Sequence, residues 1–415
     1  MKIAYVCADS GVALTKRNGS AAHVRGIVRA FVSLGHQVDL FMSCIDGAEE
    51  LGVPVRPIRA SILADDLTRR IGERPGHRGP KRVNRCDAGC APAGERAVLR
   101  AVRHVCRNEA VERALTNEWS LTPPDLVYER YGPFGVAGGI VAKSLGIPHV
   151  LEVNAPLAWE GARHRGQALS DVATLLERIA FETSDRVVAV SEELAEHIVA
   201  CGATRDRVAV VPNGVDVQHF TPDGPNRRGE LEGRIVVGFT GSLKPWHGLD
   251  RLAEAFEQLA AIDPRLHLLV LGDGPAGEAL HALARELPGR VTLTGAVPAD
   301  VVPEYLRAID IAVAPYPSLE RFYFSPIKLL EYMASGCSIV ASRVGQIERL
   351  IDEGRTGLLV SPGDTAELSR ALWLLAADEH LRAELGRHAA AAARTGHAWD
   401  RRAREILELM TPAVR

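Results

Sequence analysis

The sequence predicts an α/β protein built from two doubly wound, Rossmann-like domains in series. Short apolar runs of strand length alternate with helix-length segments along most of the 415 residues, which is the pattern of parallel sheets covered by helices. This alternation begins at residue 3 and starts again at residue 235. A segment rich in proline and glycine separates the two series, as expected of an interdomain connection.

The first series opens with a strand, a polar loop containing glycine, and a helix. In that helix Val24, Ile27, Val28 and Phe31 recur at i, i+3, i+4 and i+7, so that one apolar stripe can pack against a sheet. The apolar runs that we interpret as the strands of this domain are residues 3–7, 38–42, 126–128, 150–153 and 187–190.

The second series repeats the same plan. Leu249, Leu252, Ala253 and Phe256 form the apolar stripe of its first helix. The runs that we interpret as its strands are residues 235–239, 268–271, 291–293, 311–314, 339–341 and 358–360.

The connection between the two series lies at residues 211–225, where Pro212, Asn213 and Gly214 favour turns. We therefore place the first domain at residues 1–212 and the second at residues 213–396. The end of the chain, residues 399–410, has a helical pattern. We expect the segment 397–415 to cross back onto the first domain.

The composition excludes several classes of protein. Lysine and arginine number 49 against 52 acidic residues, so no global positive charge is available to attract nucleic acid. No apolar run approaches the roughly 18 residues of a membrane span, and the apolar start is too short for a secretion signal. Seven cysteines, an odd number, fit a reduced protein better than a disulfide framework. A cytoplasmic location is the prediction.

Residues 69–96 contain many arginine, glycine and proline residues without an apolar period, and we interpret them as a mobile loop of the first domain. Cys86, Cys90, His104 and Cys106 could be taken as four zinc ligands. Their spacing is not a paired Cys-x-x-Cys framework, so we favour free thiols and expect no metal.

Ligands of open parallel sheets bind beyond the carboxyl ends of the strands, and the most informative loop there is at residues 323–336, YFSPIKLLEYMASG. Ser325 can act as the N-cap of a helix and Pro326 can take its first position. The next backbone N–H groups, of Ile327 and Lys328, would then point out of the positive end of the helix. The pattern predicts an anion site.

Lys328 and Glu331 are three residues apart, so they share one face of this helix. The lysine suits a diphosphate, and the carboxylate one turn along suits a ribose diol because it can accept both hydroxyl hydrogens. An exposed ion pair on an ordinary helix is the alternative.

The sequence around this helix resembles the retaining GT-B glycosyltransferases of glycosyltransferase family 4, which carry an acidic residue, here Glu331, before a short apolar helix turn. The resemblance extends over five ordered motifs of the second domain. They are GFTGSLKPWHG at residues 238–248, LGDGP at 271–275, GAVP at 295–298, GQIE at 345–348 and TGLLV at 356–360.

This resemblance implies two Rossmann-like domains facing across a cleft, the GT-B fold, with the nucleotide-sugar donor bound mainly by the second domain. It implies that Glu331 holds the ribose, that the backbone at Ala296 and Val297 meets the base, and that Gly241 lets a phosphate approach the main chain. The residues expected to bind the donor are Gly241, Ser242, Lys244, His247, Gly272, Ala296, Val297, Tyr323, Phe324, Ser325, Pro326, Ile327, Lys328 and Glu331.

The sequence also departs from the family pattern. Tyr323 stands where the family has the first of two glutamates, and Ser242 and His247 stand where it has an arginine and a lysine. We therefore expect neutralisation of the diphosphate to fall to Lys328 first, with Lys244 or Arg321 as alternatives.

The first domain has a weaker likeness to the family. Gly19 and Ser20 open a helix with small residues that would let the backbone approach sugar or phosphate, although a plain turn capped by Ser20 fits as well. His23 could contact a substrate or be structural.

Polar groups also follow two strands of the first domain, and Glu152 could alternatively bind only loop amides. As catalytic residues we expect Glu152, Asn154, His23 and Lys328. As acceptor-binding residues we expect Gly19, Ser20, Glu129, Arg130 and Glu160.

The predicted activity is transfer of a sugar from a nucleoside diphosphate sugar, most commonly of uridine, to a small-molecule or glycan acceptor. The resemblance implies retention of anomeric configuration, and leaving-group stabilisation by the helix end requires neither metal nor cofactor. A nucleotide-sugar epimerase, a phosphorylase and a non-catalytic donor-binding or activating subunit are the alternatives. A homodimer is an open alternative to a monomer.

Overall fold

The computed structural model describes residues 1–16, 18–59 and 93–410. These residues form two compact units. The described residues within Met1–Thr15, Phe31–Val211 and Ile406–Arg415 make the first unit, and those within Lys16–Ala30 and Pro212–Glu405 make the second. Most of the helix that follows residue 18, as far as Ala30, therefore groups with the second unit.

A parallel sheet organises the first unit, with the strand order β3-β2-β1-β4-β5-β6-β7. Its strands are β1 (Lys2–Cys7), β2 (Gln37–Met42), β3 (Val55–Pro57), β4 (Leu126–Arg130), β5 (His149–Val153), β6 (Arg186–Ala189) and β7 (Val208–Val210). The order runs outward from β1 in both directions, which is the doubly wound arrangement.

Helices alternate with these strands along the chain. They are α1 (Gly19–Ser33), α2 (Ala93–Trp119), α3 (Ala137–Leu145), α4 (Leu157–His164), α5 (Ser170–Thr183) and α6 (Glu192–Ala200). Val24, Ile27, Val28 and Phe31 of α1 are fully buried, as their helical spacing predicts.

The second unit contains a parallel sheet with the strand order β10-β9-β8-β11-β12-β13. Its strands are β8 (Ile235–Thr240), β9 (Leu266–Leu271), β10 (Val291–Leu293), β11 (Ile311–Ala314), β12 (Ser338–Ser342) and β13 (Leu358–Val360). The accompanying helices are α7 (Leu249–Ala260), α8 (Glu278–Glu286), α9 (Val302–Leu306), α10 (Ile327–Ala334), α11 (Ile347–Leu350), α12 (Thr365–Ala377), α13 (Glu379–Gly396) and α14 (Trp399–Glu408).

Apolar side chains cover both faces of this second sheet. One cluster joins Val237 and Phe239 of β8 to the stripe of α7, and the other joins Val236 of β8 to α10 and α13. Helix α10 is thereby fixed against the sheet by its buried residues Leu329, Leu330 and Met333. The predicted class, two doubly wound α/β domains, is confirmed.

The structure corrects four details of the prediction. The edge strands β3 and β7 have three residues each, and their sequences alone did not distinguish them from loops. Strand β4 extends to Arg130, so Glu129 and Arg130 lie within the strand and not after it. Helix α2 begins at Ala93, so the loop prediction was wrong for residues 93–96, whereas residues 69–92 lie outside the described residues. Helix α10 begins one residue later than expected.

No helix in the described part of the chain is both long enough and apolar enough to cross a membrane.

Candidate functional site

The N-terminus of α10 is the centre of the candidate site. Pro326 is its N-cap residue, with an extended backbone at ψ 98°, and no side chain caps the helix. Ser325 was predicted to be the N-cap, and this prediction was wrong because its hydroxyl accepts the backbone N–H of Asn213 at 3.0 Å instead. The Leu329 N–H donates to the Pro326 carbonyl at 3.0 Å. The N–H groups of Ile327 and Lys328 lie before it, at the positive end of the helix, where they can bind a ligand.

Asn213 ties the segment before α10 to helix α1. Its side-chain amide donates to the Ser325 carbonyl at 2.7 Å, and its Oδ1 accepts the His23 Nδ1–H at 2.7 Å. His23 is 3% exposed, and its ring meets the edge of Trp399 with centroids 4.9 Å apart. His23 was predicted to be catalytic. The structure gives it a positioning contact, and a catalytic role for it stays a prediction.

The start of α1 lies beside the start of α10. A Cβ added to Gly19 would be 4.0 Å from Ile327 Cδ1, so the backbone of the small-residue loop reaches the mouth of α10. Arg25, two turns further along α1, acts electrostatically on Glu331. Gly19 is exposed and Ser20 half-buried. The loop predicted from its small residues is therefore next to the predicted anion site.

Lys328 is held among aromatic rings and a neutral histidine. Its Nζ lies 4.1 Å from the centroid of the Phe239 ring, which favours the cationic form. The same Nζ is 3.5 Å from His247 Nε2. Burial lowers the pKa of Lys328 to about 7, although the Glu331 carboxylate opposes this shift. The ammonium group is thus poorly solvated and would gain much from an anionic ligand.

His247 is a neutral acceptor in this arrangement. Its Nδ1–H donates to the Ser242 carbonyl at 2.7 Å, which leaves Nε2 to accept from Lys328. Burial, followed by the positive charge of Lys328, lowers the pKa of His247 to about 3. His247 was predicted to bind the donor, and it is placed to orient the lysine that would do so.

Glu331 follows one turn after Lys328 and is half-buried. Burial raises the pKa of its carboxyl group to about 7, whereas Lys328 and Arg25 act in the opposite direction. The next residue, Tyr332, accepts the Thr240 N–H at 2.7 Å and so anchors α10 to the end of β8. The alternative of an exposed ion pair does not fit this burial.

The loop after β8 also reaches Lys328. Gly241 has φ 120°, and a Cβ at this position would lie 3.1 Å from Lys328 Nζ. Its carbonyl oxygen closely approaches Gly272, where a Cβ would be 1.9 Å away, so the loops after β8 and β9 pack backbone to backbone. Ser242 is exposed, and Lys244 lies 5.9 Å from the Trp246 ring centroid. Glycine is required at Gly272 because a Cβ would overlap the backbone, and it is favoured at Gly241 by the positive φ.

Aromatic residues precede α10. Tyr323 is 7% exposed, and its ring packs on that of Phe324 with centroids 4.4 Å apart. Phe324 in turn contacts Phe322. Ala296 is exposed and Val297 half-buried in the loop that follows β10. These residues can shape the surroundings of a ligand, and their predicted contacts with the donor stay predictions.

In the first unit, Arg130 and Glu152 face each other on adjacent strands, with their charged groups 3.8 Å apart. Both are buried, and Tyr5 and Tyr128 share the same face of the sheet. Burial, followed by the Glu152 charge, raises the pKa of both tyrosines, so their hydroxyl groups stay protonated. Glu152 and Arg130 therefore form a buried polar centre. Their predicted roles, catalysis for Glu152 and acceptor binding for Arg130, stay predictions.

The other acidic candidates of the first unit have partners. Glu129 accepts from His149 Nε2 at 3.0 Å, and both are buried, so its predicted acceptor contact stays a prediction. Glu160 forms an ion pair with Arg165. Asn154 is half-buried, and its Nδ2 has no hydrogen-bond partner among the described residues.

The residues suggested as zinc ligands are not brought together in the described part. Cys86 and Cys90 lie outside the described residues. His104 accepts from Arg107 at 3.1 Å, and Cys106 is a buried free thiol.

Sequence reasoning missed several residues of the candidate site. Asn213 was treated only as a turn residue of the connection, and Phe239 was given no role beyond its place in a strand and in the motif at residues 238–248. Arg25 and Trp399 carried no motif. The single available signal was the Pro-Asn-Gly run at residues 212–214, which marks a turn but does not show what the asparagine side chain binds.

Comparison with known proteins gives two matching family models. The family described as Glycosyl transferases group 1 matches residues 234–378, and the family described as Glycosyltransferase Family 4 matches residues 17–219. The D-inositol 3-phosphate glycosyltransferase of Nocardia farcinica is 32% identical over 307 residues, which cover 70% of this chain and 67% of that protein. The enzyme of the same name from Corynebacterium efficiens is 30% identical, with 70% and 72% covered.

Solved structures show the same architecture. Anabaena Alr3699/HepE in complex with UDP has a TM-score of 0.70 at 20% identity, covering 98% of this chain and 99% of that one. Sucrose-phosphate synthase from Thermosynechococcus elongatus has a TM-score of 0.66 at 19% identity, covering 98% of each chain. These similarities confirm the predicted GT-B fold.

Proposed function

Since the chain belongs to the glycosyltransferases of family 4 (glycosyl transferases group 1), we propose that it binds a nucleoside diphosphate sugar at the start of α10 and transfers the sugar to an acceptor hydroxyl. The observation that carries this proposal is the convergence at one point of the α10 N-terminus, Lys328, Glu331 and the glycine loop at Gly241. The positive end of a helix thus lies beside a lysine ammonium group and a carboxylate that can accept hydrogen bonds.

The diphosphate would lie against the first turn of α10. Backbone N–H groups there can bind phosphate oxygens, and the Lys328 ammonium can neutralise the charge that grows as the diphosphate departs. Gly241 leaves room for a phosphate at the main chain because it has no side chain at a point where a Cβ would lie 3.1 Å from Lys328 Nζ. Stabilisation of the leaving group is the main catalytic contribution that this geometry offers.

The ribose would be held by Glu331. A carboxylate can accept hydrogen bonds from both ribose hydroxyls, and Arg25 helps to keep it ionised. The loop with Ala296 and Val297 is the proposed neighbour of the base. The family resemblance implies these assignments, and the burial and position of the α10 residues support them.

The stereochemistry and the metal requirement are part of the proposal. The family that the sequence resembles retains the anomeric configuration, and we propose the same outcome here. Lys328 and the helix end together supply positive charge to the diphosphate, so we propose that transfer does not depend on a divalent metal.

For the donor and acceptor, the relatives suggest the first compounds to test. One structural neighbour was solved with UDP and UDP-glucose, and the relatives from Nocardia and Corynebacterium are named for an inositol phosphate acceptor. We propose a UDP-sugar donor and a small hydroxylated acceptor. The buried Arg130 and Glu152 centre of the first unit is the proposed acceptor side.

The test begins with a thermal-shift screen against UDP, GDP, ADP and dTDP, followed by calorimetry with the nucleotide that stabilises the protein most. Replacement Glu331→Ala should weaken nucleotide binding about 10- to 100-fold, because it removes hydrogen bonds to a charged group worth roughly 1.5–3 kcal/mol. The matched control is Glu286→Ala, an exposed carboxylate on helix α8.

Unchanged affinity for every nucleotide after Glu331→Ala would refute the site. Donor turnover without any acceptor would instead favour an epimerase or a phosphorylase. Nucleotide binding by a chain that transfers sugar only with a second protein would favour the activating subunit.

A further inference from the structure

A cluster of three residues of metal-binding types lies in the first unit. Glu177 is on α5, His197 is on α6, and Cys201 directly follows α6. Their potential ligand atoms all lie within 4.8 Å of one another. Glu177 is buried and Cys201 is half-buried, so the cluster is enclosed on one side and reachable from the other.

Both distances from His197 within this cluster match the edges of a tetrahedral metal site. His197 Nε2 is 3.4 Å from Glu177 Oε1 and 3.5 Å from Cys201 Sγ. Zinc bonds of about 2.0–2.1 Å to nitrogen and 2.3 Å to sulfur at a tetrahedral angle give a nitrogen–sulfur distance of about 3.5 Å. A nitrogen–oxygen distance of 3.4 Å is long for an ordinary N–H···O hydrogen bond.

A nucleophilic Cys-His-Glu relay does not explain this geometry. In such a relay the thiol and the carboxylate bind opposite nitrogens of the imidazole ring. Here both approach the same nitrogen, Nε2. Three donor atoms that converge on one point are the arrangement of a shared cation.

The cluster also has the outer contacts that metal sites require. Glu177 Oε2 accepts the Ala158 N–H at 3.1 Å, which fixes the carboxylate and leaves Oε1 directed at His197. The Tyr131 hydroxyl interacts with the same carboxylate. Such second contacts orient ligating side chains and are typical of bound metals.

We propose that Glu177, His197 and Cys201 bind a zinc-class divalent cation, with its fourth position open to water. The ion joins α5 to the end of α6 and, through Ala158, to the start of α4. It lies outside the donor site at α10 and has a bracing role in the first unit.

The experiment uses the full chain after removal of metals with a chelator. Titration with Co²⁺ should produce a thiolate-to-cobalt absorption band that saturates at about one equivalent, and zinc should abolish it. Mass spectrometry of protein purified with added zinc should find about one zinc ion per chain.

Variants assign the band to the cluster. Cys201→Ser should remove the thiolate band, and His197→Gln should weaken Co²⁺ binding at least tenfold. Cys44→Ser, which changes another half-buried free thiol, and the double variant Cys86→Ser/Cys90→Ser should both keep the band.

The proposal is wrong if the unaltered chain gives no thiolate band with Co²⁺, a result that does not depend on the folding of any variant. It is equally wrong if Cys201→Ser keeps the band, or if the band disappears only in Cys86→Ser/Cys90→Ser.

Discussion

Lys328 illustrates how the surroundings of one residue set its chemistry. Its ammonium group lies against the rings of Phe239 and Tyr316 and beside the neutral His247. None of these three neighbours carries a negative charge. Burial lowers the pKa of this lysine to about 7. The free site is therefore close to losing its positive charge under physiological conditions, and an anionic ligand restores it.

Nucleotide binding should accordingly weaken as the pH rises from 7 to 9. The ammonium form is present below the pKa of about 7 and is lost above it, while the diphosphate binds the ammonium form. The dissociation constant of the nucleotide should increase by up to about tenfold per pH unit in this range. Calorimetry at several pH values measures it.

Lys328→Arg is the control for this pH dependence because a guanidinium group stays charged throughout. Its dissociation constant should remain nearly constant from pH 7 to 9. If the dissociation constant changed with pH in the same way for the unaltered protein and for Lys328→Arg, another group would be responsible for the pH dependence.

Asn213 is the second residue whose role depends on its contacts. Asn213→Ala should destabilise the protein by about 1–3 kcal/mol, because the buried His23 and the Ser325 carbonyl lose their partner. It should also raise the KM for the donor, since Ser325 precedes the first turn of α10. Denaturant unfolding and steady-state kinetics measure the two effects.

The matched control is Asn226→Ala, which changes an exposed asparagine directly after the connection and should change stability by less than about 0.5 kcal/mol. If Asn213→Ala lowered stability but left the KM unchanged, the contact would be structural only.

At the scale of elements, helices α1 and α14 meet at a close contact. A Cβ added to Gly26 of α1 would lie 2.1 Å from Trp399 Nε1 at the start of α14. Trp399 also packs against Gly214 of the connection and against the ring of His23. The same tryptophan therefore fixes the position of the first half of α1, which carries Gly19 toward α10.

Gly26→Ala should destabilise the protein by about 1–3 kcal/mol, because Trp399 or α1 must shift to admit a methyl group. Gly396→Ala is the control, since no atom lies within 4 Å of a Cβ at that position near the end of α13. Thermal unfolding compares the two. An equally stable Gly26→Ala protein would show that the contact is loose.

For the whole molecule, the donor site and the proposed cation site lie in different units. We expect removal of metals with EDTA to leave kcat for sugar transfer within about twofold, because Lys328 and the α10 N-terminus supply the charge at the diphosphate. The midpoint of thermal unfolding should fall if the cation stabilises the first unit.

The assay compares EDTA-treated enzyme with samples to which Mg²⁺ or Zn²⁺ has been restored. A large loss of activity that Mg²⁺ restores would contradict transfer without a metal.

The sequence by itself determined the class of fold and the place of the candidate donor site. Strand-length apolar runs separated by helical stripes predicted both parallel sheets, and the motif at residues 323–336 predicted a helix start with Lys328 and Glu331 on one face. These features depend on local periodicity and on turn-forming residues, which can be recognised in a short segment.

Only the tertiary structure decided which distant groups meet at that helix. It placed Gly19 beside Ile327, joined Asn213 to Ser325 and His23, and placed the half-buried Lys328 beside Phe239 and His247. It also assembled Glu177, His197 and Cys201 from two helices. Burial and charge at a side chain depend on residues far away in the chain, so no local pattern could give the pKa of Lys328 or the partner of Asn213.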